Sequence, residues 1–138
     1  MKRQRGIVAL ELALILPVLL SLLASVVFYG RLAYDYEVVQ KAAREGARYL
    51  SSVAAINLKN TTLANQESLL TQTIVQSALA PLGNDAATVL VTCDSVPCSA
   101  LGAVPSEVSV TVILPVSNLF AGDALRLVTR RSMRYVGN

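Results

Sequence analysis

The sequence predicts an α+β chain: a long N-terminal transmembrane helix continuing into an amphipathic helix, a second short helix, and a small three-stranded antiparallel sheet. Three observations predict it. A strongly apolar block fills residues 7–29, a segment of helical period follows, and from residue 88 onward the apolar positions alternate as in strands. The length of 138 residues suits one domain, or one domain plus an anchor. Hydrophobic residues make up 54%, yet aromatics are 5% and Trp is absent, so a core must be built from Val, Leu, Ile and Ala.

The anchor comes first. Residues 7–29 read IVALELALILPVLLSLLASVVFY, with Glu11 the one charge. At 1.5 Å per residue such a helix is about 35 Å long, enough for a hydrocarbon core of about 30 Å. Lys2, Arg3 and Arg5 precede it, so the positive-inside rule keeps residues 1–6 cytoplasmic and sends the rest outward. The block exceeds a secretory h-region, and no small-x-small site ends it, although Ala24 and Ser25 are near. A carboxylate at the centre of a membrane helix costs about 2.5–3.5 kcal/mol, less near the interface. Glu11 is therefore a shallow, tolerated charge or a paired one. Pro17 removes a backbone donor and allows a kink.

From Arg31 the sequence RLAYDYEVVQKAAREGARYL keeps helical period, with Leu32, Tyr36, Val39, Ala43 and Ala47 as a stripe. Glu37, Lys41 and Glu45 stand four apart. Gly30 and Gly46 read as tolerated weak points. The expected divisions are a basic leader over 1–6, a transmembrane helix over 7–30, a helix extension over 31–52 and an extracytoplasmic α+β domain over 53–138.

In that domain residues 53–64 read as a loop. Asn65 is the expected cap of the second helix, with Glu67 in its first turn and Leu69, Leu70, Thr73, Ile74, Ser77 and Ala78 on one face. Pro81 and Gly83 stop it. Strands are expected over Thr88–Cys93, with Val89, Val91 and Cys93 on one side, over Glu107–Leu114, ended by Pro115, and over 125–136. The last strand alternates Leu125, Leu127, Thr129, Arg131, Met133 and Tyr135 against Arg126, Val128, Arg130, Ser132 and Arg134. Leu119 and Phe120 are expected to fold back onto the core.

Charge and residue type exclude several functions. The net charge of +3 comes from Lys2, Arg3 and Arg5; beyond Gly6 nine basic and nine acidic side chains balance. No nucleic-acid partner is expected. The remaining basic cluster, Arg126, Arg130, Arg131 and Arg134, reads as a solvated strand face or a docking site for an acidic partner. There is no His, hence no usual general base near neutral pH, and no Gly-rich phosphate loop or GxSxG. Asp85, Asp94, Glu107 and Asp123 fall in or beside expected turns. No catalysis, cofactor, metal or small-molecule substrate is expected. Cys93 and Cys98 bound a tight turn containing Pro97; an oxidising compartment favours a disulfide between them, with two free thiols the alternative.

The N-terminal RQRGIVALELALILPVLL resembles a class III signal of type IV pilin-like proteins: a basic leader ending in Gly6, an apolar first mature residue, Ile7, and a Glu at the fifth mature position, Glu11. FYGRLAYDYEVVQKAAREGARYL and the closing RRSMR extend the resemblance to the TadE-like family, minor pilins or pseudopilins of the tight-adherence (Flp) pilus machinery. Arg44, Glu45, Gly46, Ala47 and Arg48 carry the family's AREGAR-type segment, and Pro17, Gly30 and Arg31 also fall where the family has them. The likeness is weaker through VSVTVILPVSNLF. It implies a prepilin peptidase cutting between Gly6 and Ile7 and a Glu11 that pairs with a neighbouring subunit's new amine. It also implies partners among other pilin-like subunits and inner-membrane pilus assembly proteins, within the bilayer of the bacterial inner membrane, and a role in surface adhesion. The alternatives are a type II secretion pseudopilin and an unprocessed single-span membrane scaffold protein.

Overall fold

The computed structural model describes residues 4–83, 87–116 and 125–138, with residues 4–8 described in backbone only. The chain divides into two compact units, the first ending at Tyr34 and the second beginning at Asp35. The expected fold-back of Leu119 and Phe120, and the turn positions of Asp85 and Asp123, lie outside the described residues.

Helix α1 runs from Gln4 to Ser51, with Pro17 inside it. In the first unit its side chains from Ala9 to Tyr34 are mostly exposed, Leu10, Leu14, Leu22 and Val26 among them. Helix α1 is long and apolar enough to cross a membrane. Ser21 and Ser25 donate their hydroxyls to the carbonyls of Val18 and Ser21, at 2.8 and 2.9 Å. Satisfying a hydroxyl within the helix suits a segment with no water beside it.

In the second unit α1 turns amphipathic. Val39, Ala42, Ala43, Gly46, Ala47 and Leu50 are buried, while Lys41, Arg44, Glu45 and Arg48 are exposed. The stripe expected from the sequence is present at Val39, Ala43 and Ala47, but Tyr36 is 44% exposed.

The segment expected to be a loop contains helix. Helix α2 covers Ala55–Lys59 and α3 covers Thr61–Leu79. The cap is Asn60, not Asn65: the Asn60 side chain accepts from the backbone N–H of Thr62 and Leu63 at 3.0 and 3.4 Å. Glu67 then lies well inside α3, too far in to act on its N-terminus. Instead its carboxylate accepts from the Tyr49 hydroxyl and from Asn57 Nδ2, both at 2.8 Å, and so ties α1, α2 and α3 together. That bond from Tyr49, with burial, raises the Tyr49 pKa.

The buried face of α3 also differs from expectation. Ala64, Thr71, Val75 and Leu79 face the core, while Leu69 and Leu70 are about half exposed, at 53% and 51%. Thr71 is tolerated inside because its Oγ1 donates to the Glu67 carbonyl at 2.7 Å. A 3₁₀ turn over Ala80–Leu82 follows, and Gly83 ends it at φ 60°, the left-handed conformation that glycine adopts without penalty.

Among the described residues the sheet has four strands, one more than expected: β1 Thr88–Cys93, β2 Val96–Pro97, β3 Glu107–Val116 and β4 Leu125–Arg134, in the order β2-β1-β3-β4 and antiparallel throughout. The extra strand is a two-residue return of β1. Pro97 belongs to this strand and not to the turn itself. Asp94 and Ser95 make the turn at φ 48° and 72°, both left-handed, the arrangement whose twist matches a hairpin. Short helix α4, Cys98–Leu101, follows.

The turn is held by Asp94. Its carboxylate accepts from the Ser106 hydroxyl at 2.7 Å, the Ser106 amide at 3.0 Å and the Glu107 amide at 2.9 Å. The Ser106 hydroxyl first, and then the two amides, hold the Asp94 pKa below its ordinary value. A depressed folded-state pKa gives stability that is present above the unfolded value, about 4, and lost as pH falls through the folded value. Asp94→Asn is therefore expected to be less stable than the parent at neutral pH. The gap should close when unfolding midpoints are compared below about pH 4.

Pro115 does not end β3. It pairs with Arg126, beyond Ile113, where the pairing with β1 stops. Among the described residues a strand pairs with it on one side, and a missing N–H is tolerated at such a position. At the other end β4 stops at Arg134, short of the expected Val136, because the next residues bond elsewhere. The Tyr135 amide donates to the Ser106 carbonyl and the Val136 amide to the Ser51 carbonyl, each at 3.0 Å. The Tyr135 hydroxyl donates to the Val53 carbonyl, and the Ala55 amide to the Asn138 carbonyl at 2.9 Å.

The sheet buries Val89, Val91 and Cys93 of β1 and Val108, Val110, Val112 and Leu114 of β3. They join Val39, Ala43, Ala47 and Leu50 of α1 and Val75 and Leu79 of α3 in one aliphatic core. The opposite face carries Thr88, Leu90, Val128 and Arg130, all exposed.

Candidate assembly surface

The residues singled out in the sequence fall into three places. Gly6, Ile7, Glu11 and Pro17 all lie on α1 within the first unit. Glu11 and Pro17 are exposed, as are the small residues Ala9, Ala13, Ser21 and Ala24. Small side chains let a second helix approach closely, which matters in lipid, where association rests on packing and hydrogen bonds. Glu11 shares this helix with large exposed aliphatics such as Leu10, Leu12 and Leu14. Opposite charge on a neighbour would offset the desolvation of a carboxylate there.

Arg44, Glu45, Gly46, Ala47 and Arg48 lie on α1 in the second unit and divide by face. Arg44, Glu45 and Arg48 are exposed; Gly46 and Ala47 are buried. Gly46 is no weak point. A Cβ there would stand 2.5 Å from Val75 Cγ2, 3.4 Å from Thr71 Cγ2 and 3.6 Å from Val110 Cγ1. Helices α1 and α3 and strand β3 meet at this position, and only hydrogen fits. Gly30, by contrast, has nothing within 4 Å of its would-be Cβ. Sequence spacing gives no sign of this difference, since the atoms that crowd Gly46 are distant in the chain.

Cys93 and Cys98 form a disulfide with a Cα–Cα distance of 4.8 Å. Both are buried, so the bond fastens β1 to α4 from inside the core.

One basic residue departs from the solvated group. Arg131 is half-buried on the core side of β4, and its Nη2 donates to Gln40 Oε1 on α1. Arg126, Arg130 and Arg134 are exposed on the other face. Among the described residues no group of three His, Cys, Asp or Glu side chains could hold a metal ion.

Residues 6–48 match a family model described as TadE-like protein. Comparison with curated proteins and with solved structures gave no match. The matched span begins at Gly6, takes in Ile7, Glu11 and Pro17, and ends at Arg48. Over this N-terminal helix, about a third of its length, the chain is similar to TadE-like proteins.

Proposed function

We propose that the chain is a minor pilin-like subunit that takes part in assembling a Flp-type pilus for surface adhesion. The observation that carries this reading is the family match over residues 6–48, which holds Gly6, Ile7, Glu11 and the Arg44–Arg48 segment on one continuous helix. Residues 1–6 are a cytoplasmic leader, residues 7–30 cross the inner membrane, residues 31–52 extend the helix, and residues 53–138 form an extracytoplasmic domain. A prepilin peptidase cuts between Gly6 and Ile7. The cut removes Lys2, Arg3 and Arg5 and takes the side-chain balance from twelve basic against nine acidic to nine against nine.

The new amine at Ile7 and the carboxylate of Glu11 supply opposite charges on one helix. Their pairing between neighbouring subunits offsets the cost of holding either in lipid. Partners are other pilin-like subunits and inner-membrane assembly proteins, reached through the small-residue positions of the same helix. The oxidising space outside the inner membrane suits the buried Cys93–Cys98 disulfide.

Mass spectrometry of the protein from cells that make a prepilin peptidase tests this reading. A mature chain starting at Ile7 is expected, with Gly6→Ala blocking the cut and leaving full-length protein in the membrane. A chain that keeps Met1 to Gly6 beside an active peptidase overturns it and favours an unprocessed scaffold.

A further inference from the structure

Strand β4 is the edge of the sheet, and three features set its free side apart. It pairs with β3 through ten successive residues, from Leu125 opposite Val116 to Arg134 opposite Glu107, without a bulge. Among the described residues no strand pairs with its outer side. Such an edge offers a regular row of backbone donors and acceptors to any extended chain. Second, Arg126, Arg130 and Arg134 recur every fourth residue on the exposed face, about 13 Å apart along the strand. Third, residues 125–138 carry four arginines and no Asp or Glu, and across the register Arg126 faces Pro115 and Arg130 faces Thr111, while Arg134 faces Glu107.

The arginines also act against self-pairing. A two-fold antiparallel pairing of this edge with its own copy brings Arg126, Arg130 and Arg134 opposite or diagonal to one another, and like charges so placed destabilise a sheet. Carboxylates at alternate or every-fourth positions of an incoming strand would meet them favourably. Val128, 58% exposed on the same face, supplies apolar contact beside the charges.

We propose that the outer edge of β4 accepts an extended acidic segment of another protein by strand addition, with Arg126, Arg130 and Arg134 reading its carboxylates. The backbone row gives affinity and the arginine spacing gives register and sign. The inference stands apart from processing and pilus assembly, and holds or fails without them.

The probe is the peptide Ac-Glu-Val-Thr-Val-Glu-Val-Thr-Val-Glu-NH2, titrated against the full chain in detergent. Two controls accompany it: the same peptide with Lys for Glu, and one of equal composition with the glutamates clustered. Binding of the first peptide alone, slowed amide exchange along β4, and at least a tenfold loss of affinity in an Arg126→Gln/Arg130→Gln/Arg134→Gln variant are expected. These arginines are exposed, so the variant's unfolding midpoint serves as the check that the sheet is intact; Arg131, which touches Gln40, is left in place. Equal binding of the clustered peptide would reduce the site to unspecific charge attraction and overturn the proposal. So would the absence of binding together with self-association of the variant, which would make the arginines only guards against aggregation.

Discussion

Gly46→Ala is expected to destabilise the α+β unit, although alanine is the better helix former. In an exposed helix interior the exchange gains about 1 kcal/mol. Here the added methyl would lie 2.5 Å from Cγ2 of Val75, a fully buried side chain. Val75 is β-branched and on a helix, so its χ1 is nearly fixed and it cannot swing aside. Overpacking of this kind costs about 1–3 kcal/mol, which turns the propensity gain into a net loss on the order of 1 kcal/mol. Gly46→Leu keeps the propensity gain and adds three more carbons, so its loss should reach several kcal/mol. Denaturant unfolding of the parent, the Gly46→Ala and Val75→Ala variants and the double variant measures the coupling. The double variant should recover most of the stability lost on adding the methyl, because removing the valine methyls opens the space that methyl needs. Additive effects, or a Gly46→Ala protein more stable than the parent, would show that the three elements do not meet as tightly as described.

Removing the Cys93–Cys98 bond is the second large effect. The cysteines are five residues apart, and for so short a loop the chain-entropy estimate is about 2 kcal/mol. Their burial lets the substitution separate two contributions. The Cys93→Ala/Cys98→Ala pair loses the cross-link and leaves small apolar groups inside. The Cys93→Ser/Cys98→Ser pair also places two hydroxyls where the cysteines are 1% and 2% exposed, and an unsatisfied buried hydroxyl costs about 1–3 kcal/mol. The serine pair should thus unfold at clearly lower denaturant than the alanine pair. Equal midpoints for parent, alanine and serine proteins would mean that this corner contributes little to the fold. The native bond is also expected to resist a mild reductant until the unit is unfolded, since both sulfurs belong to buried residues.

The strands were more legible in the sequence than the helices around them. Val89, Val91 and Cys93 alternate with Thr88, Leu90 and Thr92, and β1 has the expected bounds, because a period of two places every second side chain on one face. Helix α3 was harder. Asn60 and Asn65 are both competent caps, and Asn60 wins by opening a helix that includes buried Ala64. Its inward face was read from Leu69, Leu70 and Ile74, the largest apolar residues available. The space beside Gly46 instead takes Thr71 and Val75. Local periodicity fixes the spacing of a stripe but not its rotation, which depends on the partner's shape. For the same reason Gly46 gave no signal as a contact point, and Glu67 looked like a helix-end charge until Tyr49 and Asn57 proved to be its partners. The segment from Gly6 to Arg48 was legible because its residues lie on one helix, where sequence distance and spatial distance agree.

The bonds from Tyr135 and Val136 back to Val53 and Ser51 have a consequence for the order of folding. Tyr135 lies 82 residues after the carbonyl it holds at Val53. At about 5–20 residues per second, a ribosome needs roughly 4–16 s to cover that distance. Through that interval the end of α1 has been synthesised without its latch, and Leu50 has no complete core to enter. A transient chaperone or a neighbouring helix has several seconds to occupy that apolar stripe before the chain's own last strand competes for it.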